Sequence, residues 1–130
     1  MNKVFCLGVW DMFHYGHLVL ITRASKLGDL TVGIVCDEAV KCQKGNSRPI
    51  INQNERGEII KALSCVSDCR LVEDFIIPRD VIEGFDVIVI GADQDHIKNL
   101  NDLPKEKIHT LSRYDGISTS DILKKIKEAA

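Results

Sequence analysis

The sequence predicts an α/β protein: a parallel sheet with helices on both faces, folded as one domain over residues 1–130. Three observations carry this. Residues 30–36 (LTVGIVC) and 85–90 (FDVIVI) are continuous apolar runs bounded by polar or glycine residues, the pattern of strands buried on both faces. Segments with helical spacing separate the runs, and strand–helix alternation at this interval implies parallel pairing with crossovers. The 130 residues, 45% hydrophobic and 28% charged, are one domain's worth of chain, long enough to bury about two-thirds of its unfolded surface.

Taken in order, residues 3–9 are apolar and β-prone, and the turn-like DMFHYG follows. Residues 18–27 place Leu18, Leu20, Ile21, Ala24 and Leu27 close to helical spacing, and Gly28 ends the helix. The strand at 30–36 comes next. Residues 41–48 are polar, basic and glycine-containing and read as a loop. Residues 54–63 read as a helix with Ile59, Ile60 and Leu63 on one side, 69–72 as a short strand, and 78–83 as a short helix with proline near its first turn. After the strand at 85–90, residues 107–111 form a further strand. A closing helix spans 118–127, with Ser118 as N-cap and Asp121 in a variant of the capping box. Ligands of such sheets bind beyond the carboxyl ends of the strands, so the segments that follow strands matter most.

A net charge of −2 argues against electrostatic binding to nucleic acid or to an anionic membrane. No stretch approaches the ~20 apolar residues of a membrane span, and the opening MNKVFCLGVW reads as a strand rather than a signal peptide. Five cysteines, Cys6, Cys36, Cys42, Cys65 and Cys69, form an odd set without a C-x-x-C pair. The expectation is reduced, mostly buried thiols in a cytoplasmic protein. A Cys65–Cys69 metal pair is the alternative, without a second ligand pair to complete it.

Two constellations carry chemistry. His14 and His17 lie three apart where a strand hands over to a helix, with Gly16 between them letting the backbone come close to a ligand. Two imidazoles beside the free N–H groups of a helix starting near His17 describe a phosphate site. Metal ligation with Asp11 is the alternative, although no third ligand and no H-E-x-x-H helix accompanies it. Near the end of the chain, Arg113 precedes Gly116, Ile117, Ser118, Thr119 and Ser120. Glycine, hydroxyls and fresh helix N–H groups again make an anion cradle, with a guanidinium fork beside it. Ser118 alone is explained by capping; the group is not. Lys41, Lys44 and Arg48 around Gly45 form a third, basic cluster, which a solvated loop would also explain.

With both in view, GVWDMFHYGH (8–17) resembles the signature G-x-F-D-x-x-H-x-G-H of the nucleotidylyltransferase superfamily, and RYDGISTS (113–120) resembles its second signature, R-T-x-G-I-S-T-[ST]. The chain is most similar to the small cytidylyltransferases of the glycerol-3-phosphate cytidylyltransferase type. The resemblance runs from Lys3 to about Lys127 and takes in RASKLGD, KGNSRP and NER.

The resemblance implies a Rossmann-like, doubly wound, five-stranded parallel sheet. It implies a reaction in which an acceptor phosphate attacks the α-phosphate of a nucleoside triphosphate and pyrophosphate leaves, with Mg2+, no covalent intermediate, and a homodimer. Carried over to this chain, His14 and His17 would stabilise the α-phosphate and Gly16 would make room for it. Val9 and Trp10 would offer backbone contacts to the nucleotide. Arg113, Ser118 and Thr119 would hold the triphosphate, with Gly116 and Ile117 shaping the pocket. Lys44 and Lys41 would neutralise phosphates of nucleotide or acceptor. Asp93 would contact the nucleoside or metal, and Asp11 would orient its loop. Arg56 matches the arginine of the family's E-R element.

The chain departs from the pattern at Trp10 (usually phenylalanine), at Tyr114 (usually threonine), in a longer lysine loop, and in lacking an arginine at about Ser64. The last departure counts against glycerol 3-phosphate as acceptor. The leading expectation is transfer of CMP from CTP to a phosphorylated alcohol. One alternative is an ATP-dependent adenylyltransferase acting on a sugar phosphate. Ser47-Arg48-Pro49 resembles the loop of the heptose-phosphate adenylyltransferases, whereas Ile117 stands where those enzymes tend to have cysteine. The alternative from another class is a nucleotide-binding regulatory module without turnover.

Overall fold

A computed structural model describes residues 1–91, 96–112 and 116–130. Five strands, β1 (Lys3–Gly8), β2 (Asp29–Val35), β3 (Asp68–Val72), β4 (Val87–Gly91) and β5 (Ile108–Leu111), form one sheet in the order β3-β2-β1-β4-β5. Every neighbouring pair is parallel. This is the doubly wound, Rossmann-like arrangement that the sequence implied. The order reverses at β1, so the crevice between β1 and β4 is the topological switch point, where such sheets take their ligands.

The helices are α1 (Tyr15–Ser25), α2 (Asp37–Lys44), α3 (Gln53–Lys61), α4 (Arg79–Gly84) and α5 (Thr119–Ala129). Alternation along the strands sorts two cores. Phe5, Leu7, Ile88 and Ile90 face α2 and α4 with Val40, Phe75 and Val81, while Val4, Cys6, Val32, Ile34 and Val89 face α1 and α3 with Ile21, Ala24 and Ile60. Among the described residues no helix is long and apolar enough to cross a membrane.

Several elements differ from expectation. Helix α1 begins at Tyr15, three residues before the apolar spacing starts, because His14 caps it. Residues 41–44, read as loop, are the last turn of α2. Asp37 and Glu38 in its first turn and Lys41 and Lys44 in its last complement the helix dipole, so the basic cluster marks a helix end. Strand β4 begins at Val87, since Phe85 caps α4 and Asp86 N–H bonds Lys3 C=O. On α3 the buried pair is Arg56 and Ile60, one turn apart, whereas Ile59 is 40% exposed. Two short 3-10 turns, Leu100–Asp102 and Lys105–Lys107, lead into β5 without a sequence signal. Of the five free cysteines only Cys6 is buried; Cys42 is exposed and the others lie between. Burial pushes the Cys6 thiol up to about 12, which makes it inert.

The buried Arg56 is the main polar contact inside the fold. Its guanidinium donates to the carbonyls of Ile51 at 2.9 Å and Val9 at 2.6 Å, and to Asp37 Oδ1 at 2.7 Å. The end of β1, the start of α2 and the loop before α3 are thereby joined at one side chain. Removing it strands two carbonyls and a carboxylate, and breaking a buried pair by deleting one partner costs about 3 kcal/mol. Arg56→Ala is therefore expected to lower the unfolding free energy by that amount, read from the shift of the urea midpoint multiplied by the slope m. Arg56→Lys should recover little, because one ammonium cannot reproduce a planar fork. A midpoint within experimental error of wild type would overturn this role.

Candidate active site

A cavity of about 480 Å3 opens at the carboxyl ends of β1 and β4, a size suited to a small-molecule ligand. The β1–α1 turn supplies one wall. Trp10 and Met12 adopt left-handed backbone angles, φ 59° and φ 54°, which non-glycine residues rarely hold without support. The support is visible. The Trp10 indole is buried, donates to Gly33 C=O at 2.9 Å, and lies so close to Gly8 that a β-carbon there would stand 2.6 Å from the ring. Trp10, the departure from the family's phenylalanine, thus faces the core with its ring and satisfies its extra N–H.

Asp11, between those two residues, is 3% exposed and accepts from the backbone N–H groups of Ile50 (2.8 Å) and Ile51 (2.9 Å). Its side chain holds the 45–52 loop against the cavity. Its own carbonyl accepts from Thr119 Oγ1 at 3.0 Å, so the aspartate also ties down the start of α5.

His14 and His17 form one unit. Gly16 N–H donates to His14 Nδ1 (3.1 Å), His14 N–H donates to His17 Nδ1 (3.3 Å), and the rings stack with centroids 3.8 Å apart. An Nδ1 that accepts from an amide carries no proton, so each neutral ring bears its hydrogen on Nε2. Burial holds His14 below its ordinary value. Burial first, then the neighbouring His14 and Lys44, takes His17 down to about 3. Two neutral Nε2–H donors result, suited to phosphoryl oxygens and not to metal chelation through Nδ1.

The second motif closes the opposite wall. Ser118 caps α5 by accepting from Asp121 N–H at 3.1 Å. A β-carbon on Gly16 would stand 3.0 Å from Ile117 C=O and 2.9 Å from the His14 ring. Gly16 is thus a second point where the two motifs touch, besides the bond from Thr119 to the Asp11 carbonyl.

Of the residues singled out in the sequence, Val9, Trp10, His14, Gly16 and His17 line the cavity from the β1 side, and Ile117, Ser118 and Thr119 line it from α5. Lys44 lines it from the end of α2, its ammonium lowered by partial desolvation and by Arg48 and raised by Asp11. Lys41 is not among the lining residues; it is exposed, 3.9 Å from Glu38. Gly116 is exposed beside the cavity without lining it. Asp93, Arg113 and Tyr114 lie outside the described residues. Ser64 follows α3 near the amino ends of the strands, where Ser67 N–H bonds Leu30 C=O. That end of the sheet is opposite the cavity, and Ser64 is not among the residues that line it.

Arg23 and His96 also line the cavity without a role assigned from the sequence, and so does Arg48, which the sequence placed only in the basic cluster. Arg23 was legible in principle: positions 16, 20 and 23 share one face of α1. His96 ends GADQDH, one of the segments that follow strands, but had no role assigned to it from the sequence. As for magnesium, no group of three His, Cys, Asp or Glu converges among the described residues. These residues do not form a protein cage for the ion, which commonly binds through substrate phosphates.

A doubly wound sheet with two neutral histidines and two capped helix starts around a switch-point cavity is the framework of a nucleotidyltransferase. The chain belongs to the cytidylyltransferase-like family, whose model matches residues 5–125. The protein called bifunctional protein HldE is 35% identical in Helicobacter pylori (strain HPAG1) over 95% of this chain, and 37% identical in Campylobacter concisus (strain 13826) over 97%. The chain spans about 27% of the length of each. The solved lipopolysaccharide core biosynthesis protein from Thermoplasma volcanium GSS1 matches with a TM-score of 0.70 at 30% identity, over 88% of this chain and 99% of that one.

Two outcomes test this geometry. Gly16→Ala must push the His14 ring or the Ile117 backbone aside, an overpacking that costs about 1–3 kcal/mol; unchanged stability in thermal unfolding would contradict the contact. The second concerns pH. In the unfolded chain His17 takes up a proton near 6.5, in the folded chain only near 3. Unfolded protein therefore binds more protons between those values, and stability rises with pH across that window and falls as pH drops through it. His17→Asn removes this contribution. Urea midpoints measured at pH 7.5 and 4.5 should separate less in the variant than in wild type, and equal separation would refute the assignment.

Proposed function

We propose that the chain joins the phosphate of a sugar phosphate to the α-phosphate of a nucleoside triphosphate. An oxygen of the acceptor phosphate attacks the α-phosphorus, the bond to the bridging oxygen breaks, and pyrophosphate leaves with the electron pair. The observation that carries this reading is the pair of backbone-fixed imidazoles that share a cavity with Lys44 at the switch point. Fixed donors aimed at an anion stabilise charge that grows in the transition state, and positioning supplies most of the rest. Because both histidines sit below their ordinary values, they act as hydrogen-bond donors and not as proton carriers. Magnesium would enter with the triphosphate and neutralise its oxygens.

ATP with a sugar phosphate is the first pairing. It is supported by the Ser47-Arg48-Pro49 loop, now found at the cavity through Arg48, and by the solved relative described as a lipopolysaccharide core biosynthesis protein. CTP with a phosphorylated alcohol is the second pairing, supported by Ile117 at the cavity wall.

The test is pyrophosphate release with ATP or CTP, each with magnesium, against sugar phosphates and polyol phosphates including glycerol 3-phosphate. Turnover with one pair is expected. His17→Ala should cut kcat by about 10²–10³-fold, the usual cost of losing one such donor, while the circular dichroism spectrum stays native. Wild-type rate in that variant would sink the mechanism. Tight nucleotide binding with no pyrophosphate from any acceptor would point to a regulatory module.

A further inference from the structure

His17 is held by rings on three sides. His14 stacks on it with centroids 3.8 Å apart, Phe13 lies tilted against it at 5.6 Å, and Trp10 meets it edge to face at 5.5 Å. The last two separations fall where ring pairs attract. The bond from His14 N–H to His17 Nδ1 is long, 3.3 Å, and a bond of that length holds a ring weakly. The tilt of the imidazole is therefore left to the rings around it.

The three rings are not equal. His14 and Phe13 are only half-buried, whereas Trp10 is 3% exposed and tied to the sheet. Its indole lies across Gly8, where a β-carbon would overlap it, and Nε1 donates to Gly33 C=O at 2.9 Å. Gly33 belongs to β2 and stands beside Leu7 of β1. A buried N–H costs free energy unless an acceptor answers it, so a core that needed only volume would be served by a side chain without one. Phenylalanine, the residue of the signature, fills much of the same space and makes no such bond. The left-handed backbone of Trp10, φ 59°, is a further cost that persists only where the surroundings hold it.

The geometry points to Trp10 as a positioning residue: through the indole bond to Gly33 it refers the plane of the His17 ring to the sheet, and so fixes where Nε2–H stands in the cavity. Phe13 backs the same ring from another side. In this role the indole acts through His17 and not on a reacting atom. Stabilisation by a fixed donor depends on where that donor stands when charge develops. A loosened imidazole would still let a nucleotide bind, held by the rest of the cavity, but would lower the rate of transfer.

The bearing of Trp10 on turnover rests on the nucleotidyl transfer proposed above; its hold on His17 does not, and two measurements separate them. Nitrogen-15 NMR of the full chain reads the His17 tautomer directly, and wild type is expected to show one tautomer with the proton on Nε2. Trp10→Phe keeps a ring against His17 and removes the donor, and the signature's own residue at this position lets the chain fold. Its His17 nitrogens should average toward a tautomer mixture, and those of Trp10→Leu, which loses the ring as well, should do so further. In pyrophosphate release Trp10→Phe should lower kcat about tenfold with KM for the nucleotide within about twofold. Unshifted His17 nitrogens in folded Trp10→Phe overturn the positioning role, as does a loss of stability with kcat unchanged, the result for a residue that only fills the core. Shifted nitrogens in a chain whose wild type turns over no pair in the panel uphold the hold on His17 and overturn the transfer reading instead.

Discussion

One buried guanidinium organises the ligand end of this protein. Arg56 is 1% exposed, and a charge so placed is tolerated only when its donors are answered. They are answered by three separate pieces of chain: the carbonyl after β1, the carbonyl of the loop before α3, and the carboxylate that opens α2. Among the described residues no buried side-chain nitrogen or oxygen lacks a partner. The geometry of the catalytic loop, the end of α2 with Lys44, and the Arg48 loop are therefore not independent. Each is referred to the same side chain, which lies behind the cavity and does not line it.

Asp11 repeats this logic one layer nearer the ligand. Its carboxylate takes the two amides that follow Pro49, and its carbonyl takes the Thr119 hydroxyl. Segments 108 residues apart in sequence are thereby joined through one residue. The first motif's aspartate is best understood as a brace. Its negative charge also lies near Lys44 and raises that group's proton affinity against the lowering by desolvation and Arg48. The charge of Asp11 thus acts on Lys44 while both of its carboxylate oxygens remain engaged by amide N–H groups.

The sheet, its parallel pairing and most of its helices were legible because burial on both faces writes a continuous apolar run, as in residues 30–36. Both motifs were legible because glycine and capping residues cluster in them; Gly16 packs closely against His14 and Ile117, and Ser118 caps α5. Other features were not. The last turn of α2 looked like a loop because its basic residues serve the helix dipole and the cavity at once. The burial of Arg56 was hidden because an arginine on an amphipathic helix reads as solvent-facing unless its acceptors are known, and these come from residues 9, 37 and 51. The absence of arginine near Ser64 was legible, but its place at the amino ends of the strands was not, since only the fold shows it.

The histidine pair shows how little freedom the site retains. Each Nδ1 is committed to a backbone amide, one at the cap of α1 and one within its first turn. The helix therefore sets the tautomer, and the tautomer sets the chemistry: protonation of either ring at Nδ1 would break a capping bond, and desolvation already opposes the charge. A reaction that needed a proton carrier would be poorly served by such rings. A reaction that needs fixed donors around a crowded phosphorus is well served, because the donors undergo no reorganisation as charge develops. The bonds that start the helix are the same bonds that set the imidazole tautomers, so at this point the folding of α1 and the donor pattern of the cavity make one demand on the sequence.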